Sequence, residues 1–262
     1  MARLVSVPPP PGGVYRLARG AGNPFLSPRW ERADDDGTFG NRFDDPSAEQ
    51  RIPPGKRFRT IYCATQRAAV FGETMARFRP SVALLAQLSA IEDDEPLELA
   101  LAGAVDPVDP HRGLVPADWR QRRRVGHTVL DPSLCFVDLA AGETMQYLRA
   151  TLAPVAKRLG VADIDLSVVT GPQRRLTQEI ARSIHDQRDQ NGGPRFAGIR
   201  YLSRLNAEWE CWAVFDDRMR HAAGCPSFPT TMLPDDEDLI QVARQFNLTI
   251  EVIAGQGNYL RP

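Results

Sequence analysis

Apolar positions fall in short runs separated by long polar stretches, and the runs keep two rhythms. Residues 60–64 (Thr-Ile-Tyr-Cys-Ala), 135–139, 196–203, 210–215 and 248–253 are compact runs of strand length, and Val14-Tyr15-Arg16-Leu17 is a shorter strand pattern. Helical spacing covers 66–78, 81–91, 143–159, 177–187 and 235–246. Gly160 closes the third of these helices, Thr177 is placed to cap the fourth, and acidic residues open the fifth. Residues 97–104 and 166–169 read as two further strands. Strands and helices mix without β-α-β alternation, so the expected class is α+β rather than a doubly wound sheet. No internal repeat is visible. The expected organisation is a disordered Pro/Gly-rich tail over 1–13, then a single domain over 14–262 with an enlarged middle segment at about 106–171.

The polar stretches are not uniform. Residues 23–54 are rich in Gly, Pro, Asp and Arg yet carry Phe25, Trp30, Phe39 and Phe43. A disordered linker has few aromatics, so this long irregular segment reads as functional. Residues 106–132 read as a loop, with Arg120, Arg122, Arg123 and Arg124 as a solvated basic run.

Composition narrows the function classes. The 262 residues carry 32 Lys+Arg against 33 Asp+Glu, a net charge of −1. A near-neutral chain is a poor coat for nucleic acid or an anionic membrane, so neither is an expected partner. Lys56 and Lys157 are the only lysines, leaving 30 arginines, the residue suited to bidentate contact with phosphate. Four cysteines without a C-x-x-C pair give neither a disulfide framework nor a zinc site, and no apolar run is long enough to span a membrane. The expected compartment is the cytoplasm. There is no G-x-S-x-G elbow and no phosphate-binding P-loop; Gly255-Gln256-Gly257 lacks the rest of a dinucleotide fingerprint, and the four histidines are scattered.

Five segments in order carry a more specific signal: Val14-Tyr15-Arg16-Leu17-Ala18; Gly40-Asn41-Arg42-Phe43-Asp44-Asp45-Pro46; Ile61-Tyr62-Cys63-Ala64-Thr65 followed by Gly72-Glu73-Thr74; Leu176-Thr177-Gln178-Glu179-Ile180-Ala181; and Phe196 to Arg204 followed by Cys211-Trp212-Ala213-Val214-Phe215. Together they resemble the RES domain family. The resemblance implies an ADP-ribosyltransferase-like α+β fold with small central β-sheets flanked by helices. It also implies a toxin that degrades NAD by cleaving the nicotinamide–ribose bond, with inorganic phosphate as acceptor. NAD is then a substrate, and no permanently bound cofactor or metal is expected. Transfer of ADP-ribose to a protein, plain hydrolysis and a catalytically inactive RES-like binding module stay open as alternatives. The implied partner is an antitoxin with an Xre-type helix-turn-helix domain; self-association is left open.

Breaking this bond builds positive charge on the ribose and releases a neutral nicotinamide, so the site needs phosphate ligands and a carboxylate more than an acid for the leaving group. By the resemblance, Arg16 and Arg42 bind phosphate, and Glu73 accepts hydrogen bonds from ribose hydroxyls and stabilises the developing charge. Tyr62 stacks on nicotinamide or hydrogen-bonds the acceptor, with a plain core tyrosine as the alternative. Ser203 is the family serine, with Thr177 as its rival, either as a phosphate ligand or as a plain helix cap. Tyr15 and Tyr201 flank these residues and are expected to help bind NAD. The alternative for Arg42 is a salt bridge to Asp44, Asp45 or Glu73.

Overall fold

The structure is a computed structural model that describes residues 2–46, 56–89, 113–223, 229–254 and 258–260. Its class is α+β. Eight strands make the main sheet: β1 (Ser6–Val7), β2 (Val14–Arg19), β3 (Thr60–Ala64), β5 (Arg123–Thr128), β6 (Phe136–Asp138), β7 (Gly198–Leu202), β8 (Glu210–Phe215) and β9 (Thr230–Thr231), in the order β1-β6-β7-β8-β3-β2-β5-β9. β6 and β7 run parallel, and the other neighbours are antiparallel. A smaller sheet holds β4 (Leu114–Val115), β10 (Thr249–Ile253) and β11 (Asn258–Leu260), with β10 in the middle.

Strand alternation sorts the core into two faces. On β8, Cys211, Ala213 and Phe215 join the larger hydrophobic cluster, while Trp212 and Val214 join the smaller one. On β3, Ile61 and Cys63 face the smaller cluster, and Tyr62 and Ala64 the larger. The larger cluster is closed by α1 (Arg67–Met75), α4 (Gly142–Arg158), α6 (Arg174–His185) and α7 (Glu237–Phe246), through residues such as Phe71, Leu148, Ile180 and Val242. α2 (Val82–Ser89), α3 (Ala117–Gln121) and α5 (Leu166–Thr170) are shorter. Gly72 is the one place on α1 where a side chain is forbidden: a Cβ would lie 2.0 Å from the Trp209 ring, which presses on the helix there.

Several expectations are corrected. The tail over 1–13 is ordered where described: Ser6 and Val7 pair with Val137 and Phe136, Leu4 is buried, and the Val5 amide donates to Thr144 Oγ1 at 3.1 Å. A single leucine and a sheet edge hold it, which a proline count does not reveal. Residues 166–169 belong to a helix, because the Asp165 carboxylate accepts from the Val168 amide at 2.8 Å and caps a turn that β-branched residues had disguised. Within the expected loop 106–132, the described part contains α3 and β5; β5 pairs with β2 along six residues. The described part of the middle segment therefore gives β5 and β6 to the main sheet and β4 to the smaller one. The arginine run splits accordingly, since Arg120 is buried and donates to the carbonyls of Met232 and Val252. The strand expected at 97–104 lies outside the described residues. Of the irregular segment, residues 23–46 hold only a short 3₁₀ turn at Trp30–Arg32.

Candidate functional site

β2 and β3 are registered at one residue pair only, Tyr15 with Ala64, although each pairs fully with its other neighbour. Beyond that pair the sheet has a seam, and a cavity of about 630 Å³ opens beside it. That size suits a small-molecule ligand. β2 contributes Arg16 and Leu17; β3 contributes Tyr62, Cys63 and Ala64. α1 adds Val70, Glu73 and Thr74; the 40–42 loop adds Arg42; β7 and β8 add Tyr201 and Cys211. Residues far apart in sequence thus meet: Arg16, Arg42, Tyr62, Glu73 and Tyr201 all line this one cavity.

Glu73 lies one residue beyond Gly72, on the exposed side of α1 and facing the cavity. Buried Ser203, just past the end of β7, donates a short hydrogen bond from its Oγ to Glu73 Oε1. The same Oγ accepts from the Leu205 amide at 3.0 Å, which directs the hydroxyl proton at the carboxylate. Ser203 therefore orients Glu73 and does not itself line the cavity.

The loop that carries Arg42 is fastened by buried side chains. Asp44 Oδ2 accepts from the amides of Phe39 (3.0 Å) and Asn41 (2.8 Å). The Tyr62 hydroxyl donates to Asp44 Oδ1 at 3.2 Å and accepts from the Phe43 amide at 2.8 Å. Thr60 Oγ1 donates to the Phe43 carbonyl, Thr177 Oγ1 to that of Arg42 at 2.6 Å, and Gln178 Nε2 to that of Asn41. Asp45 Oδ2 accepts from Phe58 and Arg182. Burial pushes the Asp44 carboxyl above its ordinary range, against the pull of these donors. Burial, with the Asp44 charge second, pushes the Tyr62 phenol far up.

Two expectations change here. Tyr62 presents its ring to the cavity, but its hydroxyl is committed to the loop and is not available to an acceptor. Thr177 neither caps a helix nor lines the cavity: α6 begins at Arg174 with Gln173 before it, and Thr177 is fully buried beneath the loop. Tyr15 also stays outside the cavity lining, its ring packed on His127 at 4.5 Å.

Arg42 makes none of the expected salt bridges, because Asp44 and Asp45 serve the loop and Arg182. Its guanidinium carbon lies 5.6 Å from the Tyr201 ring centre, and Nη1 is buried without a hydrogen-bond partner. Arg16 Nη1 donates to the Leu26 carbonyl at 3.1 Å, and burial lowers its guanidinium from the ordinary arginine range. Cys63 and Cys211 lie in the wall, but burial raises the Cys63 thiol to about 12 and raises Cys211 as well, so both remain thiols at neutral pH. Arg174 and Arg204 also line the cavity and were not selected from the sequence. Arg204 directly follows Ser203, which was a usable signal. Arg174 opens α6, three residues before the start that the apolar spacing suggests.

Among the described residues no cluster of His, Cys, Asp or Glu could hold a metal ion, and no helix is long and apolar enough to cross a membrane. No family model matches the chain, and neither does any curated protein. Among solved structures, a chain of the crystal structure of the M. tuberculosis MbcT-MbcA toxin-antitoxin complex aligns over 92% of this chain and 91% of that chain, at 14% identity and a TM-score of 0.40. At that score the likeness assigns neither a family nor an activity.

Proposed function

We propose that this chain cleaves the nicotinamide–ribose bond of NAD, with inorganic phosphate as acceptor. The observation that carries the reading is the buried, unpartnered Nη1 of Arg42 in a cavity also lined by a carboxylate, Glu73, that Ser203 orients. A buried donor left unsatisfied is costly in the free protein and becomes satisfied when an anion arrives, which makes it a ligand-binding device. Arginine's planar fork matches phosphate oxygens.

The chemistry follows from that pairing. The C–N bond between ribose C1′ and nicotinamide breaks, and its electron pair leaves on the pyridine nitrogen, so no proton donor is required. Positive charge grows on C1′ and the ring oxygen, and the Glu73 carboxylate stabilises it while holding the ribose hydroxyls. A phosphate oxygen then forms the new bond to C1′, giving ADP-ribose 1″-phosphate. Arg42, with Arg16 beside the seam, holds phosphate oxygens and fixes the acceptor against the sugar. Neutral thiols in the wall do not compete as nucleophiles.

The test is release of nicotinamide from NAD with and without phosphate. Release that depends on phosphate, with ADP-ribose 1″-phosphate as co-product, is expected. Phosphate-independent release giving ADP-ribose replaces phosphorolysis by hydrolysis, and no release in either condition overturns the enzyme reading. The proposed protein partner is an antitoxin with an Xre-type helix-turn-helix domain, supported by the sequence resemblance. Co-purification with the product of the neighbouring reading frame tests it.

A further inference from the structure

Beyond the cavity, along the same face of the sheet, lies a group of arginines that the proposed reaction does not use. On β2 the side chains of Leu17 and Arg19 point the same way, and Leu17 is in the cavity wall. At roughly 3.3 Å per residue, Arg19 stands about 7 Å further along. On the helix side, Arg77 lies four positions after Glu73, exposed in the 3₁₀ turn Ala76–Phe78 that continues α1. Both steps lead to Arg123 on β5, directly opposite Arg19 in the antiparallel register.

This is an arrangement that a sheet does not choose for stability. Like charges directly opposite one another on neighbouring strands are destabilising. The nearby carboxylate, Asp118, is drawn to Arg122 at 3.2 Å. Arg123 is held in place by its own contacts: its guanidinium lies 4.1 Å from the centre of the Trp119 ring, and Nη1 donates to the Trp119 carbonyl at 2.7 Å. Arg19 and Arg77 are exposed, and Arg77 rests on Phe78. Partial burial first, then repulsion from Arg19 and Arg77, pushes Arg123 down to about 10. A pinned, mutually repelling set of guanidinium groups beside a cavity is suited to an anion brought by the ligand.

We infer that Arg19, Arg77 and Arg123 form a second anion site at the rim of the cavity, which takes a phosphate monoester on the part of the ligand that projects past Leu17 and Thr74. The inference rests on the dinucleotide reading of the cavity. It makes the preferred substrate a dinucleotide with an additional phosphate, NADP, over NAD. Free inorganic phosphate shares this chemistry and is the other source of the anion.

The experiment compares NAD and NADP on the intact protein in two ways: nicotinamide release, and calorimetric binding. NADP is expected to show a KM and a dissociation constant about tenfold below those of NAD at low salt, with the advantage shrinking as salt rises. In the double variant Arg19→Gln/Arg77→Gln, which removes two of the facing charges from exposed positions, the ratio should collapse towards one. Equal KM and equal binding for the two dinucleotides in the parent protein overturn the rim site while leaving NAD cleavage standing. A preference that survives the double variant also overturns it. No release from either dinucleotide, with tighter binding of NADP still lost in the variant, overturns the proposed reaction and keeps the rim site. Titration with inorganic phosphate separates the two sources: if phosphate alone abolishes the preference at concentrations below those that support turnover, the rim is a site for the free anion and the substrate assignment fails.

Discussion

Two regions of this molecule use arginine in opposite ways. Between α1 and α7, Arg67 is fully engaged. Nη1 donates to Asp236 and to Asp238 at 2.7 Å each, and Nη2 makes a short contact with Asp236. Asp236 at the same time caps α7 through the Leu239 amide. At the cavity, Arg42 has a buried Nη1 with no partner, although Asp44 and Asp45 lie within three residues of it in sequence. Those carboxylates are engaged elsewhere: Asp44 with backbone amides and the Tyr62 hydroxyl, and Asp45, through Oδ2, with the Phe58 amide and Arg182. The first region satisfies its charges in order to join two helices. The second diverts the available acids to shape a loop, and so leaves one guanidinium in want of an anion. Where the neighbouring carboxylates go is what separates Arg67 from Arg42.

The sharpest way to break this contrast is to remove each arginine. Arg42→Ala should lower kcat/KM for NAD cleavage by about 10²- to 10³-fold, the range for deleting one preorganised hydrogen-bond donor at a reacting group, and should leave the melting temperature within a few degrees of the parent. Arg42→Lys should not restore the rate, since an ammonium lacks the planar fork. A large loss of melting temperature in Arg42→Ala would place Arg42 with the structural arginines.

Arg67→Met keeps the apolar stem that lies on Phe71 and deletes the charge. It should cost about 1.5–3 kcal/mol of stability at neutral pH, with activity per folded molecule retained. Its pH dependence has a fixed sign. The Arg67 hydrogen bonds and charge hold the Asp236 carboxyl below its ordinary value, against the effect of burial. A carboxylate whose folded pKa is depressed adds stability above its unfolded value of about 4, and that stability is lost as pH falls through the folded value. The gap between parent and Arg67→Met should therefore be widest near neutrality and close below about pH 4. A gap that widens in acid would contradict the pairing.

The same contrast explains what the chain disclosed before folding. Apolar runs such as 60–64 and 210–215, whose two faces enter the two clusters, and the helix over 143–159, with one face in the core, were legible for that reason. Leu4 and the Asp165-capped turn were not, because each is held by local or long-range contacts rather than by a period. In the site, Arg42, Glu73 and Ser203 could be singled out by local motifs; Arg42 and Glu73 do line one cavity, and Ser203 is bonded to Glu73 from outside its lining. What local motifs could not reveal was the division of labour among polar groups. Tyr62 and Thr177 carry hydroxyls in suggestive positions, yet both hydroxyls are turned to the loop backbone across separations of 19 and 135 residues. Long-range hydrogen bonding of this kind leaves no periodic trace.

Thr177 offers the most delicate test, because it belongs to the loop-fastening set while touching Arg42 only through its backbone. Its Oγ1 has one proton and three carbonyls in reach: Arg42 at 2.6 Å, Arg174 at 3.0 Å and Gln173 at 3.4 Å. The shortest of these joins α6 to the loop. Thr177→Val keeps the shape, removes that donor and leaves a buried carbonyl short of a partner, at a cost of about 1–3 kcal/mol. The Arg42 guanidinium should then be held less firmly, so kcat for NAD cleavage should fall about three- to tenfold. Thr177→Ser, which restores the hydroxyl, should recover most of it. If Thr177 bound the substrate directly, the valine variant would instead raise KM for NAD with kcat little changed. A fall in kcat that serine rescues, accompanied by the small loss of stability, would identify Thr177 as a positioning residue for Arg42 and confirm that the two uses of arginine are separated by how the loop is fastened.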